Sequence, residues 1–214
     1  MATPQRISFT ACIQPHFMLA RLADFEAVAT LFAALHGYNA SLDEKFALAE
    51  NWRTLLYEHF VRTYASDSAV WLLAWQGRQP VGLLVLESHI DSPLFQHRHW
   101  VELVALYVDP SQRKTGLSQQ LLFEAQAWTA TRGFDRMQLY VTTRNERARS
   151  FYRRCGWYPV QEIWRKDVEP GSSQVSHLAD PSATTDDPEA GCESELLEIS
   201  HHHFAMEAER TNER

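Results

Sequence analysis

Cysteine is scarce in this sequence, and the few cysteines that occur exclude a disulfide framework. Cys12, Cys155 and Cys192 are the three in 214 residues, an odd number at wide spacings. Disulfide-rich domains carry even numbers of cysteines, and zinc sites need paired ligands at short intervals. Both patterns are missing, so we expect no metal site built on cysteine, and a reducing cytoplasm is the simplest compartment.

Long apolar runs are also missing from the sequence. Gln14, Pro15 and His16 interrupt the apolar residues near the start of the chain, whereas a membrane-spanning helix needs about 20 consecutive apolar residues. We therefore expect no signal peptide, no membrane span and no membrane partner. A length of 214 residues fits one domain with a sizeable core better than two domains.

Basic residues are nearly absent from the last part of the chain. Residues 167–214 hold 12 of the 27 acidic residues and two of the 20 basic ones, so 18 bases face 15 acids in the remainder. A weakly basic body with scattered charges favours a single anion site over a nucleic-acid surface. The acidic tail has too little apolar surface to fold, so we expect disorder there. Another interpretation makes it a docking segment for a basic partner.

The most informative part of the sequence is a strand, a turn and a helix between residues 100 and 122. Residues 101–108 are apolar apart from Glu102, and Asp109 with Pro110 ends the run, which predicts a buried strand followed by a turn. Apolar residues at helical spacing and a basic, glycine-containing end then predict a helix. These residues are Leu117, Leu121, Ala125, Trp128, Arg132 and Gly133.

The turn between this strand and this helix, residues 113–116, suits a phosphate. The start of a helix presents free backbone N–H groups and the positive end of the helix dipole. Arg113 and Lys114 add two full charges at the same place. The spacings of a Walker loop and of a dinucleotide-binding fingerprint are both absent. The sequence therefore indicates an anion site of another kind.

Two helices are predicted before the first long strands. The first begins at Asp24 and ends at Gly37, because apolar residues recur at helical spacing between them. The second begins at Ser41, since Glu44 three residues later completes a capping box. Its buried stripe comprises Phe46, Ala49, Trp52, Leu56 and Phe60.

Short apolar runs predict the strands, and a further helix lies between the last two. The predicted strands are 16–20, 69–75, 81–86, 101–108, 137–142 and 157–164. Asn145 can cap a helix that ends at Gly156. The resulting order of elements is β, α, α, β, β, β, α, β, α, β.

Two short motifs in these elements resemble the signatures of the GCN5-related N-acetyltransferase (GNAT) family. The turn is similar to Gln/Arg-x-x-Gly-x-Gly/Ala at Arg113, Gly116 and Ser118. The last helix is similar to Asn-x-x-Ala-x-x-Phe-Tyr-x-x-x-Gly-Phe, with Trp in the final place, at Asn145, Ala148, Phe151, Tyr152, Gly156 and Trp157. The separation of the two motifs and the order of elements also look like those of the family.

The resemblance implies an α/β domain over residues 16–166, in which a mixed, mostly antiparallel sheet is flanked by helices, with the tail at 167–214. It further implies an enzyme that uses acetyl-CoA as co-substrate, without a metal. The acetyl group would pass directly to a primary amine of a small molecule or a peptide, and a homodimer stays open. The alternative with the same fold is a CoA-binding or regulatory module that has lost catalysis.

The same resemblance implies where CoA binds. Its pantetheine arm would pair with the backbone of the fourth strand, much as an added strand would, and a phosphate would occupy the turn. The implied residues are Leu106, Tyr107, Val108, Arg113, Lys114, Thr115, Gly116, Leu117, Ser118 and Asn145. The chain departs from the family at Lys114, where members often have glycine, and at Ser118. A side chain at either position fits poorly if the backbone needs a positive φ.

Two residues are implied to carry the chemistry. Tyr152 resembles the general acid that protonates the departing thiolate, and Glu102 stands where some members have a general base. For Tyr152, the alternative is a core tyrosine whose hydroxyl bonds to the backbone. For Glu102, the alternatives are a solvent-facing residue or a partner of an arginine, with a chain of waters removing the proton.

Three histidines lie near the start of the fourth strand. We expect His89, His97 and His99 to line the acceptor pocket, because a metal site would need about three convergent ligands. Only His97 and His99 are expected on one strand face. Cys155 is expected at a buried helix end, with no role as a nucleophile.

Overall fold

The computed structural model describes residues 14–168, in which five strands and four α-helices form. In chain order these are β1 (His16–Leu19), α1 (Phe25–Leu42), α2 (Trp52–Thr63), β2 (Ala69–Gln76), β3 (Gln79–Ile90), β4 (His99–Val108), α3 (Leu117–Thr131), β5 (Met137–Gln138) and α4 (Glu146–Arg154). None of these helices has the length and apolarity needed to span a bilayer. All but the first two residues of the predicted acidic tail, 167–214, lie outside the described residues.

The described strands form one sheet in the order β1-β2-β3-β4-β5. The pairs from β1 to β4 are antiparallel, whereas β5 runs parallel to β4. A tight turn joins β2 to β3, and its Gly77 has a φ of 61°, which glycine adopts without the strain that a Cβ would cause. The predicted mixed, mostly antiparallel sheet flanked by helices is confirmed.

Each face of the sheet carries an apolar core, because successive strand residues point to opposite faces. Helices α1 and α2 pack on the face that holds Trp71, Leu73, Leu83, Val85 and Ala105. Helices α3 and α4 pack on the other face, against Leu84, Leu86, Val101 and Leu103. A fully buried Leu or Val contributes roughly 1.5–3 kcal/mol relative to an exposed one. The cores therefore determine which strand residues can face the helices.

The predicted end of the first helix is wrong. Helix α1 continues through Gly37 to Leu42, and the amide of Asp43 still donates to the carbonyl of Asn39 at 3.0 Å. A glycine inside a helix costs only about 1 kcal/mol relative to alanine, which the remaining turns and their packing outweigh.

The predicted start of the second helix is also wrong. Ser41 lies in the last turn of α1, where its hydroxyl donates to the carbonyl of Tyr38 at 2.6 Å. Asp43 instead caps a single 3-10 turn at Glu44–Phe46, and α2 begins only at Trp52. A serine in the last turn can bond backward to a carbonyl as well as forward to an amide, so the capping pattern does not decide between the two. Residues 52–60 of the predicted stripe are helical, as expected.

Two strand predictions differ from the structure at the far edge of the sheet. Strand β5 spans Met137–Gln138 rather than residues 137–142, and no strand forms at 157–164 in the described chain. Pro159 lacks an amide hydrogen and interrupts a ladder at that point. The two residues of β5 also give a further strand little backbone to pair with.

Candidate active site

A bulge in β4 separates the two halves of this strand. Leu103 faces Leu86 and Ala105 faces Val85 on the neighbouring β3, which leaves Val104 as an extra residue without a partner. A bulge adds twist and turns the following residues relative to the preceding ones. The half that follows the bulge is therefore set at a different angle from the half that enters it.

Strands β4 and β5 part at the same place. Their pairing consists of Val101 with Met137 and Glu102 with Gln138, so β5 does not accompany residues 103–108. The three predicted pantetheine contacts, Leu106, Tyr107 and Val108, all lie in this unaccompanied half, and their other side pairs with β3. Polar backbone groups beside such a gap can accept an extended ligand as an added strand.

The turn after β4 is built around Asp109. Its carboxylate accepts hydrogen bonds from the hydroxyl and the amide of Ser111, at 2.6 and 2.8 Å. These bonds, that of the Ser111 hydroxyl foremost, hold the pKa of Asp109 below its ordinary value. A 3-10 turn at Pro110–Gln112 follows and leads into residues 113–116. The carboxylate of Asp109 therefore stabilises the turn through Ser111.

Two residues of the turn have left-handed backbone conformations. Lys114 has a φ of 66° and Gly116 a φ of 89°, the latter as the N-cap of α3. In the described chain no acceptor bonds the amides of Lys114, Gly116 or Ser118, while those of Thr115 and Leu117 have weak internal partners at 3.4 Å. Open amides at a helix start, together with the helix dipole, form an anion-binding concavity.

The departures from the family signature have different structural consequences. Ser118 lies in the first turn of α3, where a right-handed helical conformation suits any residue, so glycine is not required there. Lys114 is the one non-glycine residue with positive φ among residues 14–168. A left-handed conformation costs an L-residue roughly 1–2 kcal/mol.

Replacing Lys114 with glycine should therefore stabilise the protein. We expect a gain of about 1 kcal/mol and a rise in Tm of roughly 2–4 °C, measured by thermal melting without CoA. Lys114→Ala is the matched control, because it removes the same charge and keeps the Cβ. Equal shifts in the two variants would show that charge, and not backbone strain, is responsible.

Helix α4 positions the second group of predicted residues. The side chain of Asn145 caps it by accepting from the amide of Ala148 at 3.1 Å, as predicted. Tyr152 lies two turns later and packs between the rings of Phe151 and Trp157, at centroid distances of 5.3 and 5.7 Å. The motif residues thus fix the position of the Tyr152 ring.

Tyr152 combines a partly buried ring with a hydroxyl that has no hydrogen-bond partner among residues 14–168. Burial raises the pKa of Tyr152 well above its ordinary value, with a smaller contribution from Cys155, so the phenol is protonated at neutral pH. No residue in the described part of the chain accepts a hydrogen bond from its hydroxyl. A core tyrosine whose hydroxyl bonds to the backbone was the alternative for this residue. No such bond is present among residues 14–168.

Glu102 is buried on β4 beside the point where β5 departs. It is 8% exposed, and its Oε2 lies 3.0 Å from Nε2 of His89 on β3. The contact has the distance of an ion pair but not the alignment of a regular hydrogen bond. Glu102 is therefore neither solvent-facing nor paired with an arginine.

The polar groups that surround this pair were not predicted from the sequence. Glu87 lies directly opposite Glu102 across the strands and accepts from His59 of α2 at 2.6 Å. Asp91 binds Arg136 at 3.1 Å and the indole N–H of Trp100 at 2.9 Å. The available signal was the spacing of two, since Glu87 and His89 fall on one side of β3 and Asp91 follows two residues later, just after the strand ends.

The three histidines do not form one lining. His89 contacts Glu102, but His97 lies in the loop before β4, and exposed His99 begins that strand. The expectation that His97 and His99 share a strand face is therefore wrong. In the part of the chain that the structure describes, no three His, Cys, Asp or Glu side chains converge as metal ligands.

A family model and several solved structures match this chain. The model of the Acetyltransferase (GNAT) family matches residues 32–157 of the chain. The chain therefore belongs to this family, and its domain is an N-acetyltransferase domain. Acyl-CoA-dependent N-acetylation, with acetyl-CoA as co-substrate, is the general reaction of the family.

Individual relatives are more distant. The mycothiol acetyltransferase of Beutenbergia cavernae is 41% identical over 59 residues, which make up 28% of this chain and 20% of that relative. The chain thus matches about a fifth of the length of this curated relative.

Solved structures share the fold over most of their length. A tetramutant of the BH1408 protein from Bacillus halodurans has a TM-score of 0.63 at 20% identity, over 72% of this chain and 99% of its own. A GCN5-related N-acetyltransferase from Ralstonia eutropha has a TM-score of 0.58 at 22% identity, over 72% and 98% of the two chains. An aminoglycoside antibiotic 6'-N-acetyltransferase from Acinetobacter haemolyticus has a TM-score of 0.55 at 15% identity, over 72% and 99%. These likenesses concern the fold.

Proposed function

We propose that this protein transfers the acetyl group of acetyl-CoA directly to a primary amine. One observation carries the proposal. Strand β4 loses its neighbour after Glu102, and the same strand leads into the turn with open amides at Lys114, Gly116 and Ser118. A pantetheine arm would lie along the part of β4 that has lost its neighbour, and a phosphate would bind the open amides of the turn. Together they would direct the thioester toward the gap between β4 and β5.

The proposed residues divide the chemistry between the two sides of the reacting carbonyl. Glu102 takes a proton from the acceptor ammonium, and the neutral amine attacks the thioester carbon. The carbon–sulfur bond then breaks while the Tyr152 hydroxyl donates to the departing sulfur. The second proton that the nitrogen loses ends on the CoA thiol, so Tyr152 keeps its own proton at the end of the reaction. Holding both reactants in one geometry supplies a large part of the rate enhancement, and each proton transfer adds roughly 10²- to 10⁴-fold.

The acceptor is proposed to be a cationic amine. Glu87 and Glu102 bring two carboxylates to the sheet near the gap, whereas the carboxylate of Asp91 is paired with Arg136. The two favour a ligand that arrives with a positive charge. Two relatives, by name, acetylate small molecules, mycothiol acetyltransferase and the aminoglycoside enzyme. A small-molecule amine is therefore the first class to test, with a peptide amine second, in a cytoplasmic setting.

Release of free CoA thiol in the presence of an amine panel tests this function. The purified chain is incubated with acetyl-CoA and with monoamines, diamines, amino sugars or peptides, and the acetylated product is identified by mass. We expect thiol release that depends on the amine and matches the product in amount. Tight acetyl-CoA binding without product for any amine would instead support the module that has lost catalysis.

A further inference from the structure

Four side chains share one face of the sheet beside the gap between β4 and β5. Glu87 and His89 lie two residues apart on β3, and Trp100 and Glu102 two apart on β4. The register places Glu87 opposite Glu102 and His89 opposite Trp100. Two carboxylates directly opposite each other repel, so each needs a proton or a cation nearby.

His89 meets this need for Glu102 and reaches solvent at the same time. The Glu102 side chain is 11% exposed and the His89 side chain 38%, while their nearest atoms are 3.0 Å apart. The imidazole stacks on the Trp100 ring at 4.7 Å and 20°, and that indole is fixed by its bond to Asp91. The ring is thus held between a buried carboxylate and water.

The second imidazole–carboxylate pair on this face is built differently. Nε2 of His59 lies 2.6 Å from Glu87, and Nδ1 of His59 lies 3.0 Å from the guanidinium of Arg62. A guanidinium only donates hydrogen bonds, so Nδ1 must accept and Nε2 carries the hydrogen. Both nitrogens of His59 are therefore engaged, Nε2 with Glu87 and Nδ1 with Arg62.

His89 has no such constraint on its second nitrogen, since no group among residues 14–168 bonds Nδ1. Its own surroundings are acidic: Glu102 foremost, then Glu87 and Asp91, raise the pKa of His89 against the effect of burial. The other charged or titratable groups around this cluster are His59 from α2, Arg136 before β5 and Tyr140 after it.

We infer that His89 is the outlet through which the proton taken from the acceptor amine leaves Glu102 for solvent. The inference rests on the proposed function, in which Glu102 receives that proton. A small rotation of the Glu102 carboxyl group aligns its O–H with Nε2 of neutral His89, 3.0 Å away. The proton then passes to that nitrogen, and the imidazolium releases a proton to water. Glu102 is then a carboxylate again, ready for the next acceptor, and no other reactant is needed.

The pH dependence of kcat/KM tests the outlet. In the wild type, activity should rise as His89 loses its proton, which happens above its ordinary pKa of about 6.5. In His89→Gln, this acidic limb should disappear and activity at neutral pH should fall by roughly fivefold, less than the 10²-fold of direct acid–base catalysis because water can substitute. His59→Gln, the matched control, should keep the limb of the wild type.

Added imidazole separates a proton outlet from a structural role. Activity of His89→Ala should recover as neutral imidazole is added, whereas a misplaced Glu102 would not respond. The outlet is overturned if the wild type is active, His89→Gln has the same pH profile as the wild type, and imidazole does not restore the activity of His89→Ala. The proposed function would then still stand. A wild type that acetylates no amine overturns both.

Discussion

Tyr152→Phe is expected to lower kcat by roughly 10²-fold, the low end for acid catalysis, while the affinity for acetyl-CoA hardly changes. The change removes one hydroxyl and keeps the ring that packs between Phe151 and Trp157. Packing therefore survives, and what is lost is the donor for the leaving sulfur. Single-turnover measurements check this, because they report chemistry apart from product release.

The raised pKa of Tyr152 refines how the phenol acts. A phenol whose pKa lies above the ordinary value of about 10 is a weaker acid than a thiol of pKa about 8.5, so complete transfer of its proton is uphill. A hydrogen bond that strengthens as charge develops on sulfur still stabilises the transition state. Since the neutral phenol is the donor, Tyr152 should cause no loss of activity below about pH 10.

Tyr64→Phe is the matched control for this experiment. Tyr64 is also a partly buried tyrosine, packed on Phe60 at 5.4 Å in the core beneath α1 and α2, and it should keep full turnover. Undiminished turnover in Tyr152→Phe, with chemistry rate-limiting, would assign Tyr152 to the core and leave water as the proton donor.

Local sequence patterns were enough for much of the fold. The strand at 101–108, the turn closed by Asp109 and Pro110, and the helix from Leu117 follow from apolar periodicity and strong punctuation, and all three are confirmed. Gly37 and Ser41 were misread because their signals are local and weak. About 1 kcal/mol of propensity does not end a helix that packs along its length.

The surroundings of Glu102 could not be predicted, since they depend on strand register. His89 meets Glu102 only because β3 and β4 pair as they do, with the bulge at Val104 between the two halves of β4. A slip of one residue would turn His89 to the opposite face. Nothing in the sequence near residue 104 marks the bulge, and so the sequence offered Glu102 as a candidate without its partner.

The conformation of the turn was only half predicted. The sequence raised the question whether Lys114 and Ser118 occupy positions that need positive φ, and the answer differs between them. Lys114 does, and Ser118 does not. A motif gives the residue types but not the backbone angles, which here come from the way the turn leaves Asp109 and enters α3.

Gly116→Val should weaken CoA binding at least tenfold, or by about 1.4 kcal/mol. The space around Gly116 is open, since an added Cβ would meet only Oε1 of Gln119 at 3.9 Å. The effect comes from the backbone instead. A β-branched residue resists the φ of 89°, and its relaxation would turn the amides of Gly116 and Ser118 away from a common point.

Calorimetric titration with CoA measures this loss, and Gly77→Val provides the matched control. Gly77 also has a positive φ, 61°, with no atom near an added Cβ, but it lies in the turn between β2 and β3. Both variants should melt at lower temperature than the wild type because both carry the same kind of strain. Only Gly116→Val should lose CoA affinity. If a folded Gly116→Val protein binds CoA as the wild type does, the amides at the start of α3 do not hold the phosphate.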